Sequence, residues 1–254
     1  MKLNNKMKFS RIFILILSLA IFSGCERPEE GPTNSIWQIV EGDGTLSSIK
    51  AELLGAGMDV TLSATDTKTT LFAPSNDAMQ NLLSTLGIPD YSTIAPQIVQ
   101  AVLAYHIANQ EVLKASIVDG ASITTLQGEN ISVITGNVLK TGATTNAEVL
   151  RSIPATNGIV HVVNVVLIPP SIGALIVQTL GTVAQPLLLA SEFSILGSAI
   201  LKADAYAATN GKTTLLSILI TDGATQSYTV FAPVNQVFNT AQITVDTFDG
   251  MNIL

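Results

Sequence analysis

The 254-residue sequence predicts an α+β fold, and three observations carry that reading. From Ala78 to Tyr105 apolar residues recur at three- and four-residue steps, the period of helices buried on one face. From Ser122 to Ile168 short β-prone runs are divided by glycine-containing turns, the pattern of a meander. The two kinds of segment are grouped, helices first, which argues against a parallel sheet built from alternating βαβ units.

Composition excludes several function classes. Hydrophobic residues make up 47%, ample for a packed core, and charged residues 12%, about half the roughly 25% of an average soluble domain. The net charge of −7 lacks the clustered Lys and Arg of a nucleic-acid footprint, so no nucleic-acid partner is expected. The single cysteine, Cys25, closes no intramolecular disulfide and builds no cysteine-rich zinc site. With two histidines, a histidine metal cage is not expected either. No metal and no cofactor is anticipated.

The N-terminus reads as an export address. Lys2, Lys6, Lys8 and Arg11 precede an apolar run over 12–22, shorter than the roughly 20 residues a bilayer span requires. Phe22-Ser23-Gly24-Cys25 resembles the lipobox of bacterial lipoproteins, although Phe22 stands where leucine is more usual. The resemblance implies a signal peptide over 1–24, cleavage before Cys25, and acylation of that cysteine. Residues 25–34 then form a lipidated tether, polar and without apolar period. The alternative is a soluble secreted protein with a cysteine beside its cleavage site. Loss of 1–24 removes four basic residues and takes the net charge to −11. Attachment to the membrane would therefore rest on acyl chains rather than on attraction to anionic lipid. The acidic stretch after Cys25 resembles an export signal of some bacterial lineages. The expected location is the bacterial cell envelope, at the outer membrane or cell surface.

A repeat organises the remainder. Thr70-Leu-Phe-Ala-Pro-Ser-Asn-Asp-Ala-Met79 recurs as Thr229-Val-Phe-Ala-Pro-Val-Asn-Gln-Val-Phe238, 159 residues later. That offset is domain-sized and too long for a solenoid period. In each copy a β-prone stretch ends at Phe72 or Phe231. Pro74 or Pro233 then removes a ladder donor and fixes φ. Asn76 and Asn235 sit where a side-chain oxygen can cap the first turn of the next helix. In the first copy Ala78, Met79, Leu82, Leu83 and Leu86 mark one helix, and Ile94, Ile98, Val102 and Tyr105 a second. The period then shifts toward two near His106. Strand-like runs follow at 122–126, 130–134 and 137–140. Asn157-Gly158 signals a hairpin, leading to a strand over 159–168 that Pro169-Pro170 stops.

The segment Thr70–Met79 resembles the first motif of fasciclin domains, and Asn157–Pro170 resembles the second. Between them Leu103-Ala-Tyr-His-Ile107 is similar to the family's Tyr-His segment. The resemblance covers roughly 35–170 and implies a β-wedge of two sheets packed with α-helices. Residues 187–228 resemble the helical opening of the same domain, and only the first motif follows them. Pro170 lies 100 residues after Thr70, and the same distance from Thr229 runs about 75 residues past Leu254. Residues 171–254 are therefore expected to be an incomplete, truncated second copy.

The resemblance implies an adhesive role for Tyr105 and His106, while the apolar run around them favours packing with internally satisfied polar groups. His161 shares a strand face with Ile159, Val163, Val165 and Leu167, which suits a hydrogen-bonded core histidine. No Gly-x-Ser-x-Gly elbow accompanies the histidines. Gly211-Lys212-Thr213 lacks the first glycine of a phosphate loop, Tyr206 standing in its place. Asp43, between two glycines, reads as a turn. The expected function is a lipid-anchored adhesion or interaction protein without catalytic activity, contacting extracellular matrix, a glycan or another cell-surface protein. The alternative is a lipoprotein that holds a small apolar ligand or glycan between helices and sheet.

Overall fold

The computed structural model describes residues 31–142, 145–179, 181–220 and 228–249. Cys25, the leader and most of the tether lie outside the described residues. Three short helices open the chain: α1 (Ile36–Gly42), α2 (Ser47–Gly55) and α3 (Asp59–Ser63). α1 starts with a capping box, Ser35 and Gln38 satisfying each other's backbone N–H groups. Strand β1 (Thr69–Pro74), α4 (Asn76–Leu86), α5 (Pro96–Tyr105) and β2 (Ile107–Ala108) follow. Then come β3 (Ser122–Thr124), β4 (Asn130–Ile134), β5 (Val138–Lys140), β6 (Val149–Ala155) and β7 (Gly158–Val163).

The strands form two sheets. One has the order β2-β1-β7-β6, and the other is β3-β4-β5. β1 runs parallel to β7, with Thr70 opposite Ile159 and Phe72 opposite His161. Every residue of β1 and β7 is buried, because both faces of this central pair are covered. Strand alternation divides their side chains between two cores. Leu71, Ala73, Val160 and Val162 face the helices, in a core shared with Ile36, Leu53 and Leu103. Phe72 and Val163 face the second sheet and join Tyr105, Ile131, Val133 and Leu139. The α+β class and the two sheets packed with helices are as expected.

Three local expectations are corrected. The cap of α4 is Ser75, whose Oγ accepts from the Ala78 N–H. Asn76 is already inside the helix, and its side chain turns to a neighbouring one. The closing strand ends at Val163 rather than Ile168, because the next polar groups bond elsewhere. Asn164 Oδ1 accepts from the Glu148 N–H, and the Leu167 N–H points at His106. Asn137 lies outside β5 with φ of 60°, a turn conformation that asparagine tolerates.

The remaining described residues are helical: α6 (Pro170–Thr179), α7 (Ala184–Leu189), α8 (Ser194–Thr209), α9 (Leu215–Leu219) and α10 (Asn235–Thr240). α6 crosses the first half so closely that a Cβ on Gly173 would stand 1.9 Å from the Gly142 carbonyl oxygen. Glu129 accepts from both the Ser171 N–H and hydroxyl at the start of that helix. Further on, the Ala95 N–H donates to Leu189 O at 2.7 Å beside an Ile94–Ala190 bridge. Among the described residues Thr229–Val234 carries no strand.

Candidate functional site

Phe72, Tyr105, His106 and His161 gather on and around the central strands. Tyr105 and His106 end α5, and both are 0% exposed. The Tyr105 hydroxyl donates to Asn130 O at 2.9 Å. Burial, then the charge of Glu129, push it up to about 12. Tyr105 also lies behind a depression beside α6 that Asn130, Lys140 and Ala174 line with it. His106 Nδ1 lies 2.7 Å from Val102 O, and its Nε2 accepts from the Leu167 N–H at 2.9 Å. These bonds place the proton on Nδ1 and keep the ring neutral. Desolvation drives its pKa down to about 4, against the smaller opposing effect of the Val102 carbonyl.

His161 is equally enclosed. Its Nε2 donates to Val112 O at 2.7 Å, while Nδ1 accepts from Ser152 Oγ at 2.8 Å. The ring stacks on Phe72 with centroids 5.3 Å apart. Burial, and secondarily Lys114, lower its pKa while the Val112 carbonyl works the other way. The Val112 N–H in turn donates to Thr70 Oγ1, which donates to Gln110 O. Both imidazoles therefore have every nitrogen engaged inside the protein and offer nothing to a substrate or metal. Thr70 and Ser152 complete this chain of bonds. Neither was marked by the sequence, since a lone hydroxyl in a β-prone run carries no pattern of its own.

The Asn157-Gly158 hairpin is a second hub. Asn157, 1% exposed, accepts from the Ile36 N–H and donates to Leu62 O and Ala64 O. One side chain thus ties the start of α1 and the end of α3 to the hairpin. Gly158 holds φ of 146°, and a Cβ there would lie 1.8 Å from Thr69 O. Only glycine admits β1 at that distance.

Asn76 and Asn235 play a matching part. Asn76 Oδ1 accepts from the Ser48 N–H, and Nδ2 donates to Gly44 O and Ser47 Oγ. Asn235 Oδ1 accepts from the Ile195 N–H, and Nδ2 donates to Ser191 O and Ser194 Oγ. The partners have the same spacing, and each set opens a 3₁₀ turn that runs into a helix. Contrary to the expectation from sequence, neither amide caps the helix that follows it; each bonds the start of an earlier helix, which only the tertiary fold brings beside it.

An apolar cavity of about 340 Å³ lies between α4, α5, α6 and α7. Its walls come mainly from these helices, with Ile49 and Glu52 of α2, whereas the alternative reading of the sequence places a ligand space between helices and sheet. Among the described residues no group of three or more His, Cys, Asp or Glu side chains is placed to hold a metal.

The fasciclin domain family model matches residues 44–169. Transforming growth factor-beta-induced protein ig-h3 from Sus scrofa is 32% identical over 146 residues, covering 55% of this chain and 20% of that protein. The Oryctolagus cuniculus protein of the same name is 28% identical over 221 residues, covering 84% of this chain and 28% of that protein. The chain thus spans less than a third of these animal relatives. Protein sll1483 of Synechocystis sp. (strain ATCC 27184 / PCC 6803 / Kazusa) is 30% identical over 150 residues, 56% of this chain and 78% of that protein. Among solved structures, a FAS1 domain pair from the insect cell adhesion molecule Fasciclin I aligns with a TM-score of 0.46 and 19% identity. It covers 55% of this chain and 52% of that one. With the family model lying over β1, the Tyr-His segment and the β6–β7 hairpin, and a bacterial relative aligned over most of its own length, the chain belongs to the fasciclin domain family.

Proposed function

We propose that this protein is a fasciclin-type adhesion or interaction protein without catalytic activity, displayed on the bacterial envelope by acyl chains on Cys25. The observation that carries this reading is the pairing of family membership with two histidines wholly occupied by internal hydrogen bonds. Binding then falls to exposed surface rather than to Tyr105 and His106. Leu113, Val118 and Leu126, between 41% and 54% exposed, crowd the connections into and out of β3 and offer apolar contact area. A matrix component, a glycan or another cell-surface protein is the partner class. Residues 35–170 form the first domain in this reading, and 171–254 part of a second. The matching Asn76 and Asn235 bonds, and the rabbit alignment across 84% of the chain, support that division.

Two experiments test the proposal. Cells with the intact gene should attach to matrix-coated surfaces more than cells with a deletion, and equal attachment on every coating would remove adhesion. A clickable fatty-acid probe should label the native chain and not Cys25→Ala. Equal labelling of both would remove the anchor.

A further inference from the structure

The cavity between α4, α5, α6 and α7 differs from the adhesive surface in place and chemistry. Its volume of about 340 Å³ falls within the small-molecule range of roughly 300–1,000 Å³, and such sites favour junctions between structural units. At about 30 Å³ for each water-sized group, it takes some ten to twelve methylenes.

The polar groups on its walls are almost all used up. The Tyr91 hydroxyl donates to Met79 O at 2.7 Å, and Thr93 Oγ1 donates to Asp90 O. His106 is bonded at both nitrogens, and Gln185 Oε1 accepts from the Gly181 N–H. Glu52, on α2, and the Gln185 Nε2 amide are the exceptions: among the described residues no donor lies within hydrogen-bond distance of the Glu52 carboxylate, and no acceptor within that distance of Gln185 Nε2. The Glu52 pKa is raised by desolvation and then by the neighbouring charge of Asp90. No Lys or Arg lines the space. A ligand carboxylate would meet two like charges, whereas a donor head group would find an acceptor without a partner.

We propose that this cavity binds a single-chain aliphatic amphiphile whose head group is a cationic amine, with the chain among the α4–α7 side chains and the head at Glu52. The site needs both halves of the chain, because α6 and α7 supply one wall through Ile172, Ile176 and Leu189. It does not depend on adhesion, and adhesion does not depend on it.

The full-length chain carrying Cys25→Ser, so that no attached acyl group competes, is titrated with dodecylamine, dodecanol and dodecanoate below their micelle concentrations. Displacement of Nile red and calorimetry give the affinities. Dodecylamine should bind about tenfold more tightly than dodecanoate, the scale of one charge-assisted hydrogen bond. Glu52→Gln should bring the two within about threefold while leaving dodecanol unchanged. Ile176→Trp should weaken all three by about tenfold with native circular dichroism, and Ile176→Ala should move the optimum to a longer chain. The proposal fails if none of the three probes binds saturably or if dodecanoate binds as tightly as dodecylamine. It fails equally if folded Ile176→Trp binds like its parent.

Discussion

Phe72 and Phe231 hold the same place in two copies of one motif, yet Phe72 is 0% exposed and Phe231 is 92% exposed. Phe72 lies on β1, with β2 and β7 on either side and the His161 ring stacked on its own. No strand flanks Phe231 among the described residues. Truncation should therefore cost very different amounts. Phe72→Ala should lose about 3–5 kcal/mol, and Phe231→Ala no more than about 0.5 kcal/mol. Urea unfolding followed by Trp37, the only tryptophan, reads the first value, since that ring packs on the helix-facing core. Comparable losses from the two variants would contradict the difference in packing.

The Asn76 amide bonds should be individually measurable. Asn76→Ala removes one acceptor and two donors around the start of α2, for a loss of about 2–3 kcal/mol. Asn76→Asp keeps the acceptor and should recover part of that. Asn235→Ala should speed hydrogen exchange at the start of α8 and leave α2 untouched. Exchange that rises equally in both helices would show that the two clamps are not local.

Gly158 is the least replaceable residue of the hairpin. A methyl group would collide with the Thr69 carbonyl and occupy a backbone region that L side chains rarely adopt. Gly158→Ala should cost on the order of 4 kcal/mol, enough to empty the soluble fraction at 37 °C. A variant as soluble and as stable as the parent would mean that β1 and β7 can separate without penalty.

Stability should fall as pH drops from about 6.5 to about 4. His106 has its folded pKa near 4 and an ordinary value of 6.5. Across that window the unfolded chain takes up a proton that the folded chain refuses, so acid favours unfolding. The difference is worth about 3 kcal/mol at full effect. His161, lowered for the same main reason, acts with it. Glu52, raised above 4.5, opposes both within part of the window. Asp43 is raised by burial, but bonds from Thr45 and Arg151 outweigh this and lower it below 3.8, so its effect comes only in stronger acid. Urea midpoints at pH 7 and pH 4.5 check the sign, and an unchanged midpoint would mean that His106 accepts a proton in the folded state.

Much of the scaffold was legible residue by residue. The apolar steps of α4 and α5, the turn chemistry of Asn157-Gly158 and the order of helices before strands are local signals, each fixed by one backbone period or one φ angle. They were enough for the α+β class and for the fasciclin resemblance. The direction of the Asn76 amide was not legible, because α2 is distant in sequence and no local rule says which helix start a side chain will reach. The end of β7 at Val163 was hidden for a similar reason: the apolar run continues, and the strand stops where Asn164 turns its side chain to Glu148 and the Leu167 N–H turns to His106.

Sequence alone decided what each segment can be, since helical and strand periods, proline and glycine act within a few residues. Tertiary structure decided which polar groups are engaged and which are free. It buried Tyr105, His106 and His161 with their hydrogen bonds made, left Phe231 in solvent, and set Glu52 without a donor beside an apolar space. Hydrogen bonding and desolvation depend on atoms brought together from distant parts of the chain, and no local pattern encodes them.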